Sequence, residues 1–207
     1  MSKRKTVAPP DPAPIMLETI QEIPATLAGK QVADSLERGL LADFARGYDS
    51  PFGFSCFYEV VTGDKLPAHA AKWIAELYAV KNAGEKKGIV IEAFRGSTKT
   101  TTLTILFTAY RIGKEPHLDN LLIQVGDDIA RDNTAQIADL IANNLGWKLV
   151  FPNVEPDRER GWGDKGYEVK RVDIPYSEWR QLNSQRKDPT FVGLSYKSSA
   201  IIGKHPK

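Results

Sequence analysis

The segment Phe94-Arg95-Gly96-Ser97-Thr98-Lys99-Thr100-Thr101 gathers residue types that phosphate chemistry uses. Gly96 lets the backbone turn sharply and approach an anion. Lys99 offers a point charge to the β- and γ-phosphates of a nucleotide, and the Thr100 hydroxyl is the expected Mg²⁺ ligand. A short β-branched run, Ile89-Val90-Ile91, precedes the segment, and Leu103, Leu106, Phe107 and Tyr110 follow it at helical spacing. The segment is therefore expected between a buried strand and a helix, where N–H groups at a helix N-terminus converge on phosphate. Ala93 and Thr98 stand where the usual pattern has glycine. The competing interpretation is a plain strand–turn–helix junction, with Lys99 solvated and Thr98 or Thr100 capping the helix.

The elements that would position this loop follow from the periodicity of apolar residues. Residues 1–14 form a Pro-rich tail expected to be disordered. Residues 15–86 are expected to be a helical region. Thr26 or a neighbour starts one stretch carrying Leu27, Val32, Leu36, Leu40, Leu41 and Phe44; Gly47-Tyr48-Asp49-Ser50-Pro51 breaks it. A further helix is expected over 67–82, with Pro67 in its first turn and Ala71, Ile74, Ala75, Leu77 and Tyr78 on its apolar face. After Ile89–Ile91 and the helix over 103–112, Leu121–Val125 is a second buried strand. Asp127–Leu145 is a second long helix burying Ile129, Ile137, Leu140 and Ile141. Residues 152–166 are expected to be a loop, Tyr167–Val172 an exposed strand and Thr190–Leu194 another strand. The β-α-β-α order points to an α/β fold with a parallel sheet covered by helices.

Arg95-Gly96-Ser97-Thr98-Lys99-Thr100 resembles the deviant Walker A loop of phage large terminases, the ATPases that pump DNA into capsids. That family writes the loop as Arg-Gly-x-(Gly/Ala)-Lys-(Ser/Thr), and Thr98 departs from it. Pro67, His69 and Trp73 resemble the helix that borders the adenine pocket in that family. Leu121–Val125 with the helix from Asp127 is similar to its second strand–helix unit, and Asp188-Pro189-Thr190 through Gly203-Lys204-His205-Pro206 to the stretch that runs into its Walker B strand. The resemblance spans about residues 50–207. It implies a three-layer P-loop NTPase of the RecA/ASCE type, cut before Walker B, with residues 87–207 as a partial ATPase domain behind an N-terminal helical extension.

The resemblance also implies roles. Arg95, Gly96, Ser97, Thr98, Lys99, Thr100, Thr101 and His69 would bind ATP; Lys99 and Arg95 would act catalytically, Arg95 by sensing or stabilising the γ-phosphate; Thr100 would hold Mg²⁺. The implied partners are double-stranded DNA, a portal, a small terminase subunit and further copies in a ring, in the cytoplasm of an infected host. A helicase-like P-loop fragment or a non-catalytic P-loop assembly domain are the alternatives. No convincing Walker B acids precede Lys207, so the chain is expected to bind ATP weakly and not turn it over.

Other candidates have ordinary readings beside functional ones. Asp127 and Asp128 either cap and favour the following helix or hold metal. Trp73 is expected to pack in the core rather than stack on a base. Arg131 belongs to a solvated helix face, or reaches a neighbouring subunit's nucleotide. Arg158 and Arg160 sit with Trp162 in a loop of mixed charge. Glu92 is expected to be structural. His117, His205 and Cys56 form no zinc pattern, and Ser97 and Ser198 lack the partners of a nucleophile.

Composition narrows the classes. The chain has 207 residues, 42% hydrophobic and 26% charged, with net charge +2 and mean hydropathy −0.34. These values suit a folded globular chain rather than a disordered or collagen-like one. The prolines at 9, 10, 12 and 14 stand where an export signal needs its apolar centre. One cysteine cannot make an internal disulfide, which fits a reducing compartment. The basic residues are dispersed, with a small excess at both ends, so no nucleic-acid stripe stands out.

Overall fold

The computed structural model describes residues 27–84, 88–164 and 166–201. The Pro-rich tail, residues 15–26 of the expected helical region and the Gly203–Pro206 stretch lie outside the described residues. The fold is a mixture of helices and strands. The chain divides into two compact units at Leu40–Leu41. Helix α1, Leu27–Gly47, runs through that boundary, and in the first unit Leu36 is half exposed.

In the second unit, helix α2 covers Pro51–Thr62. Ser50 caps it, its hydroxyl accepting from the Gly53 N–H at 3.2 Å, and Pro51 supplies the preset φ of a first turn. This helix lies within the region 15–86 expected to be helical, but no periodicity delimits it, because Phe-Gly-Phe-Ser-Cys-Phe-Tyr-Glu-Val-Val buries almost every side and shows no polar face. Helix α3, Ala68–Asn82, matches the expected element. It buries Ala70, Ile74 and Tyr78, while Ala71 and Ala75 face solvent. A π-helix, Thr100–Phe107, passes into α4, Thr108–Lys114. Strand β1, Asn120–Gln124, leads to α5, Asp127–Asn143, and then to a short α6, Leu145–Val150, capped by Asn144.

The stretch expected to be a loop holds short strands: β2 at Val154–Pro156, β3 at Trp162–Gly163 and β4 at Gly166–Tyr167. Strand β5, Val169–Arg171, pairs with β2, and α7, Tyr176–Leu182, precedes β6, Phe191–Ser195. The main sheet has the order β1-β6-β4-β3. Only β1 and β6 run parallel, Leu122 beside Gly193. The expected all-parallel sheet is thus mixed on one side. Gly163 pairs with Gly166 across a two-residue connection, and so short a link forces antiparallel pairing.

Ile89–Ile91 is not a strand, and Val90 is 87% exposed. A strand exists only through its neighbours, and no described strand pairs with this run. The β1 strand is half-buried rather than buried, with Val125 outside it, and Ile129 lies on the exposed side of α5.

An aromatic core ties the helices together. Phe57 sits 5.0 Å from Tyr110 and 6.0 Å from Phe151, and Trp147 packs 5.3 Å from Phe151. The buried Tyr110 hydroxyl donates to the Tyr48 carbonyl at 2.7 Å, joining α4 to the α1–α2 turn. Helix α5 lies on β6 so closely that a Cβ on Gly193 would collide with the Thr134 hydroxyl. No helix among the described residues is long and apolar enough to cross a membrane.

Candidate functional site

The loop before the π-helix is built from two local constraints. The Ser97 N–H donates to the Phe94 carbonyl at 3.3 Å, closing a four-residue turn around Arg95 and Gly96. Gly96 has φ of +88°, the left-handed value that the third position of a type II turn demands. The Thr102 N–H then donates to the Thr98 carbonyl at 2.8 Å, so the helical ladder begins at Thr98. Thr98 has φ of +60° and is the one non-glycine residue with positive φ among those described.

That value gives the departure from the usual loop a physical meaning. At residue 98, where the pattern has glycine, the backbone takes a conformation that glycine adopts without strain. Here a β-branched residue holds it at a cost of about 1–2 kcal/mol. The Thr98 hydroxyl offsets part of this by donating to the Ser97 carbonyl at 2.6 Å. Thr98→Gly should therefore be more stable than Thr98→Ala by about 1 kcal/mol, as measured by urea unfolding, because alanine keeps the strain and loses the hydroxyl. Equal stabilities would contradict the left-handed geometry.

The residues of the loop differ in exposure. Arg95, Gly96, Thr98, Thr100 and Thr101 are exposed and Lys99 is half-buried, whereas Ser97 is buried at 3% exposure. The N–H groups of the first helical turn have no acceptor within the helix and point out of its start. The Gly96 and Thr98 N–H groups have no backbone acceptor among the described residues. Two cationic side chains, five exposed loop residues and a helix start thus share one small surface. The arrangement suits an oxyanion better than a neutral or cationic ligand.

Comparison of the chain with protein-family models, with curated proteins and with solved structures yields no match in any of the three.

His69, expected beside a base pocket, is placed against the loop. Its Nε2 donates to the Ser97 carbonyl at 3.0 Å, and its ring meets Trp73 edge-on at 5.0 Å. Trp73 is half-buried. Sequence spacing showed that His69 and Trp73 share a face of α3; the bond to residue 97 bridges two elements and left no sequence signal.

The acids after β1 take the helix role. Gly126 occupies the cap position and Asp127 and Asp128 lie in the first turn of α5, where their charges complement the helix dipole. Asp127 is therefore not the capping residue itself. Among the described residues, no group of three or more His, Cys, Asp or Glu side chains is arranged to hold a metal ion. Arg131 is exposed, and Arg160 pairs with Glu168 at 3.4 Å.

Two clusters escaped notice in the sequence. Asp49 accepts from the Tyr78 hydroxyl at 2.8 Å and from Arg111 at 2.6 Å, and pairs with Lys81. Burial opposes its charge, but the Lys81 and Tyr78 hydrogen bonds and the cations hold its pKa below the usual value. Burial and the Asp49 carboxylate push the Tyr78 phenol up. A cleft of about 310 Å³ borders this cluster, lined by Leu77, Tyr78, Lys81, Phe107, Arg111 and Glu115. A second cleft of about 580 Å³ is lined in part by His117, Asp119, Asn183 and Arg186. Neither cleft is lined by a residue of the 95–101 loop.

Proposed function

We propose that residues 95–101 bind the phosphates of ATP, and that the chain is the ATP-binding part of a viral large terminase, a motor for packaging double-stranded DNA. The observation that carries the phosphate reading is the pair of left-handed residues, Gly96 and Thr98, set directly before an exposed helix start. Such a bend turns successive N–H groups toward one side, which is how a backbone cradles a phosphate without a buried cation. The terminase reading rests on the Arg-Gly-x-x-Lys-Thr pattern and the order of segments around it.

In this reading the N–H groups of Gly96 and of Thr98 to Thr101 face the phosphate oxygens, while the Ser97 N–H stays on the Phe94 carbonyl, and Lys99 and Arg95 neutralise charge on the terminal phosphates. The Thr100 hydroxyl, exposed and bonded to no described side chain, would hold Mg²⁺. The metal would supply charge neutralisation between the phosphates. A P-loop fold with a three-layer sheet, assembly into a ring on DNA with portal and small subunit, and action in the host cytoplasm belong to the same proposal.

The test is a ¹⁵N NMR titration of the 207-residue chain with Mg·ATP. The expected result is a saturable shift of the Gly96–Thr101 amides, with affinity at least about tenfold weaker in Lys99→Ala, the loss of one charge-assisted phosphate contact. ATP hydrolysis should stay at background. Absence of saturable shifts, or equal affinity in Lys99→Ala, would refute the nucleotide reading. Turnover that disappears in Lys99→Ala would refute the inactive state of this chain alone.

A further inference from the structure

We infer that His69 is a positioning residue for the phosphate loop: by holding the Ser97 carbonyl, it turns the Thr98 N–H toward the anion. The inference rests on the phosphate reading and adds a residue from outside the loop.

The geometry follows from the planarity of one peptide unit. The 97–98 peptide is trans, as is every described peptide bond, so the Ser97 C=O and the Thr98 N–H point in opposite directions. The carbonyl is held on the α3 side by His69 Nε2 at 3.0 Å and by the Thr98 hydroxyl at 2.6 Å. The Thr98 N–H must then point away from α3. It has no backbone acceptor among the described residues, although the preceding Ser97 N–H is spent on the Phe94 carbonyl.

Left alone, this peptide could flip. A flip would present a carbonyl oxygen to the anion, replacing an attraction by a repulsion at hydrogen-bond distance. Thr98 makes the problem acute, because its left-handed φ costs energy that a flipped peptide could release. A glycine there would carry no such strain. His69 is in turn oriented by the Trp73 ring one helical turn along α3, so the anchor belongs to a helix whose Ile74 and Tyr78 are buried in the core. The loop is thereby referenced to a rigid element rather than to its own residues.

The experiment compares wild type, His69→Ala, His69→Gln and Lys99→Ala in the Mg·ATP titration, with thermal melting of each. The glutamine amide nitrogen can reach the same carbonyl, whereas alanine cannot. His69→Ala should bind about tenfold more weakly with an unchanged melting midpoint, and His69→Gln should recover to within about threefold of wild type. A merely structural histidine would lower the melting midpoint of both variants and would not distinguish them in binding. Wild-type affinity in His69→Ala, or equal losses in the alanine and glutamine variants, would overturn the inference while a defect in Lys99→Ala kept the phosphate reading. Wild type that fails to bind would overturn both.

Discussion

Trp147→Ala should destabilise the protein by about 3–5 kcal/mol, which corresponds to a fall of roughly 10 °C in melting temperature for a chain of this size. Trp147 is fully buried, and its ring packs against Phe151. Its indole N–H donates, at a long 3.4 Å, to the Ala109 carbonyl. Truncation opens a large cavity, and the cost depends on how far the surroundings can close it. Here they cannot close it far. Gly146 brings the start of α6 against the Val60 carbonyl so tightly that even a Cβ would collide with it, so α6 cannot slide toward α2. The loss should fall at the upper end of the range, and Trp147→Phe should lose roughly half as much. Urea unfolding with an unchanged slope would check it. A loss under about 1 kcal/mol would mean that the core around Phe57, Tyr110 and Phe151 repacks.

Arg186→Ala should cost a similar amount, about 3–5 kcal/mol at neutral pH, for a different reason. Arg186 is 6% exposed and lies between two buried carboxylates, Asp119 at 3.2 Å and Glu168. It also donates to the Pro116 carbonyl at 3.3 Å, fastening the chain before β6 to the turn before β1. Removing the guanidinium leaves Glu168, among the described residues, with the more distant Arg160 at 3.4 Å as its charged partner.

The pH dependence has a definite sign. Burial raises the Glu168 pKa above its ordinary value, against the lowering effect of Arg186 and Arg160. A raised folded pKa favours the folded state at low pH, and that contribution disappears as pH rises through the folded value. Without Arg186 the raising grows. The deficit of Arg186→Ala relative to wild type should therefore be largest near pH 7 and shrink as the pH falls through the range in which Glu168 takes up a proton. Arg186→Lys should retain part of the stability, because one point charge cannot serve two carboxylates and a carbonyl as a guanidinium does. A deficit independent of pH would show that Glu168 is charged and solvated.

The parts of the fold visible in the sequence were those with one apolar face. β1 and β6 were legible as short apolar runs without a period, and Ile74 and Tyr78 on α3 and Ile137 and Ile141 on α5 carried a readable helical period. Helix α2 did not, because the core surrounds it. Ile89–Ile91 had the composition of a buried strand, yet pairing depends on a neighbour that no local pattern encodes; β1 takes β6 instead. In the candidate site, Gly96 and Lys99 were legible as residue types. The left-handed backbone of Thr98 was visible only as a departure from glycine. The bond between His69 and Ser97 joins residues separated by a whole helix and a connection, and one sequence cannot disclose it.

The outer edge of β1 and the run from Ile89 to Phe94 have a practical consequence for anyone handling the protein. Among the described strands β1 is the terminal one of its sheet, with Ile123 exposed, and Val90 and Phe94 are 87% and 76% exposed. An open strand edge and a bare β-branched run are the usual seeds of sticky behaviour between molecules. Self-association should therefore rise steeply with protein concentration, and sulfate or phosphate buffers, which strengthen apolar association, should worsen it. The exposed Val90 and Phe94 lie within a few residues of Arg95, so this apolar surface adjoins the candidate loop in sequence.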